Sequence, residues 1–510
     1  MLIETQEEIN TTVKKNKNQK LIELAANIAF CIRGNDGRNY VVLKDKPHIA
    51  IPHSGANSQA VLAICNQYLI ANSDWVGTSG INHLSSYLTA QCLSREPVEV
   101  HMRSGFSQGS IFLDYGDSDF RVLQVSQNFV KLVDTCPIYF TRGTVISQFP
   151  EITQATSSLT ELRRFIRVSE EALPALIGCI IGMWLSNIPQ PIVFLHGSAG
   201  SGKTTSLRFI LDLVDPTTKM PGGALTENVR DLKSLAALRR VLVFDNTSYV
   251  KSEASDHLAR IATGGEMTLR SLYENDLPHV TTLMRPILIN GIMDGFTRGD
   301  LASRAISFEL EAIPNEEKEA FTDLELEWEI VKPQLFSALL EIASSMLANK
   351  ALLFQPVVSN HRNIDLMRVI AFVSEKLGLD GISYVEQSIK NLSRVVLAGS
   401  VVTDALRATI ECAISSPDNC KHSHYNLGNS QESLNFFDKS FDLTRLKDIL
   451  EYHTPFEERK ALPQTPKQLG EALKRAEIEI KILFGVKFNK KNTNKGVRYT
   501  FSLEDNHACV

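Results

Sequence analysis

Residues 191–205 read Pro-Ile-Val-Phe-Leu-His-Gly-Ser-Ala-Gly-Ser-Gly-Lys-Thr-Thr, an apolar run that passes straight into a glycine-rich loop. The spacing G-x-x-x-x-G-K-T after a strand and before a helix predicts a cradle for the phosphates of a nucleoside triphosphate. Glycines at 197, 200 and 202 let the backbone curl so that successive N–H groups point at one anion. The candidate binding segment is therefore Gly197, Ser198, Ala199, Gly200, Ser201, Gly202, Lys203, Thr204 and Thr205. Lys203 brings a mobile positive charge to the β- and γ-phosphates, and Thr204 offers a hydroxyl to Mg²⁺. The helix expected from Lys203, apolar at Leu207, Phe209, Ile210 and Leu213, adds its N-terminal dipole. The expected cofactors are ATP and Mg²⁺.

Three downstream segments carry complementary chemistry. Arg239-Arg-Val-Leu-Val-Phe-Asp-Asn is an apolar strand ending in an acid, which places Asp245 beside Thr204 as the second metal-holding residue. Met284-Arg-Pro-Ile-Leu-Ile-Asn-Gly is a third buried strand, and its terminal amide, Asn290, is suited to orienting an attacking water beside the γ-phosphate. Asp300-Leu-Ala-Ser-Arg-Ala-Ile-Ser-Phe sets Arg304 ahead of a fourth strand. Between them, Thr263-Gly-Gly-Glu-Met-Thr-Leu-Arg-Ser-Leu-Tyr ends on Arg270 and Tyr273.

This order of motifs resembles the superfamily 3 helicases, AAA+ motors of phage, viral and plasmid replication, and among them the phage-type and mobile-element primase–helicase ATPases. The resemblance covers roughly residues 155–315. It implies an ATP-hydrolysing DNA helicase or translocase built as a homo-hexameric ring, with ATP bound between subunits. On that resemblance Lys203, Asp245, Asn290 and Arg304 form the catalytic set, with Thr204 and Asp245 on the metal. Arg304, or Arg298 in its place, is the finger that reaches a neighbour's γ-phosphate. The resemblance also turns the Thr263–Tyr273 segment toward the ring pore, where Arg270 and Tyr273 meet single-stranded DNA by charge and stacking. Read by themselves, they are a surface arginine and a packed tyrosine.

One departure bears on mechanism. Many of these motors place a water-activating acid directly after the metal-binding one, and here that position is Asn246. Glu253, Asp256 and Glu266 are the nearby carboxylates. The alternative function is accordingly an ATP-gated DNA-binding or regulatory assembly, in replication or in defence, that does not unwind.

The elements that must position these residues follow from length and pattern. The 510 residues suit three or four domains, and 43% hydrophobic with 22% charged residues describes an ordinary water-soluble composition. A net charge of −5 excludes a generally basic nucleic-acid binder while leaving room for a local basic patch. Eight scattered cysteines without a C-x-x-C pair read as reduced thiols of a cytoplasmic protein. The polar N-terminus has no secretory pattern. The apolar run Ala172 to Leu185, broken by Pro174, is too short for a bilayer and predicts a buried helix, so no membrane partner is expected.

The fold class expected is α/β: a P-loop core of AAA+ type at 191–314, preceded by a polar lead at 1–20, a β-rich N-terminal domain at 21–152 and a helical collar at 153–190. Helices at 315–415, a linker at 416–440 and a winged-helix domain at 441–506 follow. Asp114, Asp117 and Asp119 read as turn carboxylates rather than a metal site, and Cys420, His422 and His424 lack a fourth zinc ligand at sensible spacing.

The last domain rests on its own signals. Thr465-Pro-Lys-Gln is a helix start, with a capping threonine, a first-turn proline and a glutamine at the capping-box position. Leu469, Ala472, Leu473 and Ala476 share one face, leaving Lys467, Lys474 and Arg475 outside. Phe484-Gly-Val-Lys-Phe and Val497-Arg-Tyr-Thr-Phe alternate as strands around a loop carrying Lys490, Lys491 and Lys495. A helix followed by a lysine-rich hairpin is similar to a winged helix, which implies that these cations meet the phosphates of duplex DNA.

Overall fold

The computed structural model describes residues 16–503 apart from 144, 155–158, 220–221, 227, 248–249, 251, 270–278, 292–298, 315, 317–318, 350–355, 399–400, 416–435, 438–439, 455–458, 460–461, 464 and 494–495. Arg270, Tyr273, Arg298, Cys420, His422, His424 and Lys495 lie outside the described residues, as do the side chains of Lys467 and Arg475. The chain divides into two units. The first comprises Met1–Val125, Val130–Gln148 and Glu266–Leu283, and the second Ser126–Phe129, Phe149–Gly265 and Met284–Val510.

The first unit is mixed rather than β-rich. Helix α1 (Lys17–Ile28) starts inside the expected polar lead, because Asn16 and Gln19 form a reciprocal capping box. Strands β1 (Ala29–Gly34), β2 (Asn39–Leu43), β3 (Ala50–His53) and β4 (Pro97–Val98) form a sheet in the order β3-β2-β1-β4. Helices α2 (Gln59–Asn72) and α3 (Thr78–Leu93) pack on it through Val61, Ile64, Leu84 and Leu88. Leu62 and Ile70 of α2 are exposed although apolar, which blurs the helical period that would announce this element in the sequence.

Strands β5 (Val100–Met102) and β10 (Tyr139–Thr141) pair in parallel, while β6 (Ser104–Ser107), β7 (Ser110–Asp114), β8 (Val122–Ser126) and β9 (Phe129–Val133) form a meander. The turn acids of this region are bound by arginines. Asp114 accepts from Arg142 at 2.6 and 2.8 Å, and Asp117 from Arg121 at 2.6 Å.

In the second unit, the turn at α4 (Leu162–Phe165) precedes α5 (Leu173–Trp184), every residue of which is buried. A parallel sheet follows, made of β11 (Ile192–His196), β12 (Leu242–Thr247), β15 (Ile287–Gly291) and β16 (Ala305–Glu309) in the order β12-β15-β11-β16. The first three strands are near-continuous apolar runs, as strands covered on both faces must be. Helices α6 (Lys203–Val214), α7 (Val229–Leu238), α8 (Ser252–Thr263) and the short α9 (Gly299–Ala302) connect them. The hairpin of β13 (Glu266–Leu269) and β14 (His279–Thr282) interrupts this order and belongs to the first unit.

Buried Arg240 ties the base of the sheet together. Its guanidinium donates to Met183 O at 2.6 Å, Gln190 Oε1 at 2.9 Å and Met284 O at 3.1 Å. Burial, reinforced by neighbouring Arg285, lowers its pKa to about 9.

Among the described residues, helices α10 (Phe321–Ala348), α11 (Ile364–Leu377), α12 (Gly381–Ala398) and α13 (Val401–Ser415) follow. Helix α10 is long and apolar enough to cross a membrane by length and composition alone, yet Leu335, Phe336, Leu339, Leu340 and Met346 are buried within the unit, as in a core helix. Helix α12 covers the edge of β16, where Ser307 N donates to Ser388 Oγ at 2.7 Å and Tyr384 Oη donates to Ser307 O at 3.1 Å. Among the described residues Cys31, Cys65, Cys92, Cys136 and Cys179 are free thiols, as expected.

The last described elements are β17 (Ser440–Asp442), α14 (Leu443–Tyr452), α15 (Pro466–Phe484), β18 (Val486–Thr493) and β19 (Gly496–Leu503), with sheet order β17-β19-β18. The capping box at Thr465 and Gln468 forms as expected. Phe484, expected in a strand, closes the helix instead, because Gly485 at φ 65° supplies a left-handed cap.

Candidate active site

The chemistry gathers at the carboxyl ends of the parallel strands, where open α/β sheets bind their ligands. Behind β11 the chain turns through Gly200 and Gly202, both at φ 79°, before α6 begins at Lys203. Lys203 Nζ lies over this loop, donating to Gly197 O at 3.0 Å and Ser198 O at 2.8 Å. Burial, with the Lys203 charge nearby, holds the imidazole of His196 below its usual range and so keeps it neutral at neutral pH.

Asp245 is the hub of the site. Its Oδ1 accepts from Thr204 Oγ1 at 2.9 Å and from Asn290 Nδ2 at 2.7 Å. The amide of Asn290 is oriented in turn, since its Oδ1 accepts from Asn246 N at 2.5 Å. One hydrogen bond to the oxygen thus directs the NH₂ group at Asp245. The tips of three adjacent strands converge, with Leu195 level with Asn290 and Phe244 level with Ile289.

Asn246 lies in a bulge. The β12–β15 register shifts between Phe244 and Thr247, and Asn246 adopts φ 56°. Asparagine tolerates this left-handed conformation better than most side chains. Gly291 is the counterpart, because a Cβ there would stand 1.9 Å from Thr247 O. Glu253 and Asp256 follow on α8, and Glu266 opens β13.

A cavity of about 320 Å³ adjoins the loop, lined by Gly202, Thr205, Phe165, Ile313, Phe321 and Leu324 among others. Phe165 is fixed by Phe209 and Trp328 at centroid distances of 5.8 and 5.0 Å. Arg164, at the rim, binds Glu319 at 2.6 Å and Glu327 at 3.0 Å. No local motif marks these walls, because residues about 150 positions apart meet there.

Arg304 occupies the opposite end of the sheet. Ala305 is level with Ile192, whereas Glu309 is level with His196, after which the glycine-rich loop begins. Five strand residues at ~3.3 Å each separate the two ends by roughly 16 Å, beyond the reach of an arginine side chain. Arg304 forms an ion pair with Asp300 and also donates to its carbonyl at 2.9 Å. The Asp-to-Arg spacing of four residues was the sequence signal for this pair.

The carbonyl of Arg304 is held by His361, whose Nε2 lies 3.1 Å away. Asn363 N donates to His361 Nδ1 at 3.1 Å, which assigns the ring proton to Nε2. Burial lowers the His361 pKa from 6.5 to about 4. On acidification from pH 6.5 to 4 the unfolded chain therefore takes up a proton that the fold refuses. Stability from this group is present above the unfolded pKa and falls by about 3 kcal/mol across that window. The stability advantage of wild type over His361→Gln should shrink by this amount between the two pH values in urea unfolding. A difference independent of pH would show that the ring protonates in place.

The C-terminal elements present Lys474, Lys490 and Lys491 to solvent. In the hairpin, Lys491 is level with Arg498, a further exposed cation. Leu469, Leu473, Ala476, Phe488, Tyr499 and Phe501 form the core beneath them.

Comparison with known proteins adds a sequence likeness and a loose structural one. The model of a family described as actinomycete integrative conjugative element replication protein matches residues 157–394. No curated protein matches. Among solved structures, the chain is similar to one titled "SCCmec type IV Cch - active helicase", at 12% identity over 93% of both chains with a TM-score of 0.41. It is also similar to the apo NrS-1 C-terminal region, at 10% identity over 96% of this chain and 99% of that chain with a TM-score of 0.43. The matched span 157–394 contains the glycine-rich loop, Asp245, Asn290 and Arg304.

Proposed function

We propose that this chain is an ATP-dependent DNA motor that replicates a mobile element, acting as a ring that translocates on single-stranded DNA. The observation that carries this reading is the convergence of Thr204 and Asn290 on one carboxylate oxygen of Asp245 beside the glycine-rich loop. The similarity of residues 157–394 to conjugative-element replication proteins supports the biological setting.

In this reading the loop N–H groups and Lys203 bind the β- and γ-phosphates, and the apolar cavity at Phe165, Ile313 and Leu324 takes the base. The hard oxygens of Thr204 and Asp245 fit Mg²⁺, which when bound neutralises phosphate charge. Asn290, its amide fixed by Asn246, orients the attacking water. Arg304 serves a neighbouring subunit's nucleotide, since its own loop lies at the far end of the sheet. Arg270 and Tyr273 face single-stranded DNA in the pore. A C-terminal winged helix binds duplex DNA through Lys467, Lys474, Arg475, Lys490, Lys491 and Lys495.

Asn290→Ala is expected to lower ATP turnover about 10²-fold while leaving nucleotide affinity within a few-fold, as removal of one oriented donor does. Steady-state turnover measured beside fluorescent-nucleotide binding tests it. Equal losses in both would reduce Asn290 to a structural residue.

A second reading is an ATP-gated DNA-binding assembly that does not unwind, favoured by the amide at Asn246 where related motors carry an acid. Strand displacement separates the two. A protein whose ATPase is stimulated by single strands, yet which never displaces an annealed strand, is the second kind.

A further inference from the structure

Two arginines share one oxygen of Asp300. Its Oδ1 contacts Nη1 of Arg304 and, at 2.6 Å, Nη1 of Arg362. Asp300 and Arg304 come from α9 and the turn into β16, while Arg362 belongs to the segment ahead of α11. Asp300, Arg304 and Arg362 together carry one net positive charge. Glu386, an acid near the same segment, accepts from Ser359 Oγ, Asn360 N and Asn360 Nδ2 at 2.6–2.7 Å.

The cluster is both rigid and open. His361 grips the Arg304 carbonyl, and Asn363 caps α11 through Leu366 N at 3.0 Å while bonding Pro189 O at 2.6 Å. The spacing of the two guanidinium groups is thus set in advance of any ligand. Their side chains, 21% and 41% exposed for Arg304 and Arg362, still reach solvent. An excess cation in a fixed fork calls for a compact, multiply charged anion, and guanidinium pairs bind phosphate in this way. That anion comes from another molecule, because this chain's own phosphate loop begins beyond the opposite end of β11.

We propose that Arg362 is a second phosphate-binding arginine, presented beside Arg304 by the shared carboxylate of Asp300 to the terminal phosphate of a nucleotide in a neighbouring copy of this chain. Asp300 is the positioning residue of the pair. The inference rests on the nucleotide reading of the loop and extends it to a residue 58 positions beyond Arg304. A nucleotide fits better than nucleic acid, whose evenly spaced backbone phosphates are neutralised by cations spread along a surface.

The test uses full-length chains, co-expressed where mixing is needed. Arg362→Ala is expected to bind a fluorescent ATP analogue normally and to lose ATP turnover about 10²-fold. Arg362→Lys, which keeps charge without the fork, should recover only part of that loss. Co-assembly of Arg362→Ala with Lys203→Ala chains should restore turnover above either alone, because the mixed interface joins an intact loop to an intact Arg362. A merely structural role for the Arg362–Asp300 pair would give no such recovery. Turnover at the wild-type level in Arg362→Ala, a loss unrelieved by mixing, or a loss confined to DNA binding would each overturn the proposal. Failure of the underlying reading looks different: Lys203→Ala would then hydrolyse ATP like wild type whatever happens at Arg362.

Discussion

Replacing Lys203 with alanine is expected to weaken ATP binding about 10²-fold and to take turnover below about 10⁻³ of wild type, the scale on which oriented charged donors act on transferring phosphates. The reason is geometric. Nζ lies over the loop, held by the carbonyls of Gly197 and Ser198, so an incoming phosphate exchanges two neutral acceptors for a charged one. Alanine leaves the loop glycines, α6 and the Asp245 hub untouched, and the unfolding temperature should move little. Isothermal titration with an ATP analogue, run beside a turnover assay, checks both halves. Undiminished turnover would remove the nucleotide assignment, and with it the roles of Thr204, Asp245 and Asn290.

Much of this site was legible because its residues sit at strand ends that their own sequences announce. Apolar runs ending in His196-Gly197, Asp245 and Asn290 fix both the strand and the tip, and a parallel sheet brings such tips to one edge. The Thr465 helix start was legible for a similar reason, since capping chemistry is local. What escaped depends on pairing between distant segments. The bulge that puts Asn246 at φ 56° exists only because β12 meets Gly291 out of register, and no stretch of either strand states that alone. The cavity beside the loop joins the 164–167 turn to residues near 320. The Asp300 cluster likewise recruits Arg362 from 62 positions away. In the first unit α2 hid because exposed Leu62 and Ile70 spoil its apolar stripe. The strand expected from Phe484 begins at Val486 instead, because a glycine cap inside an alternating pattern reads equally as a strand.

Arg304→Ala should separate binding from turnover more sharply than any other substitution in this chain. The side chain stands roughly 16 Å from its own glycine-rich loop along the strand direction, so the affinity of a subunit for ATP has no reason to change. Turnover, if the residue completes a neighbour's site, should fall by about 10³- to 10⁵-fold, the range over which an arginine supplied from outside the binding subunit contributes. Some of the measured loss has a competing explanation, because Arg304 also pairs with Asp300 and helps hold the turn before β16. That ion pair is half-open to solvent and contributes at most about 1 kcal/mol, too little to mimic a thousand-fold effect. Arg304→Lys sharpens the comparison: it preserves the charge next to Asp300 while removing the planar fork, and should remain nearly as inactive as alanine. Turnover of Arg304→Ala chains mixed with wild type falls in direct proportion to the mutant fraction whether the arginine acts within its own chain or across one interface, so complementation with Lys203→Ala chains is the decisive measurement. Recovery on mixing with Lys203→Ala chains means that the loop of one chain and the arginine of the next make one site.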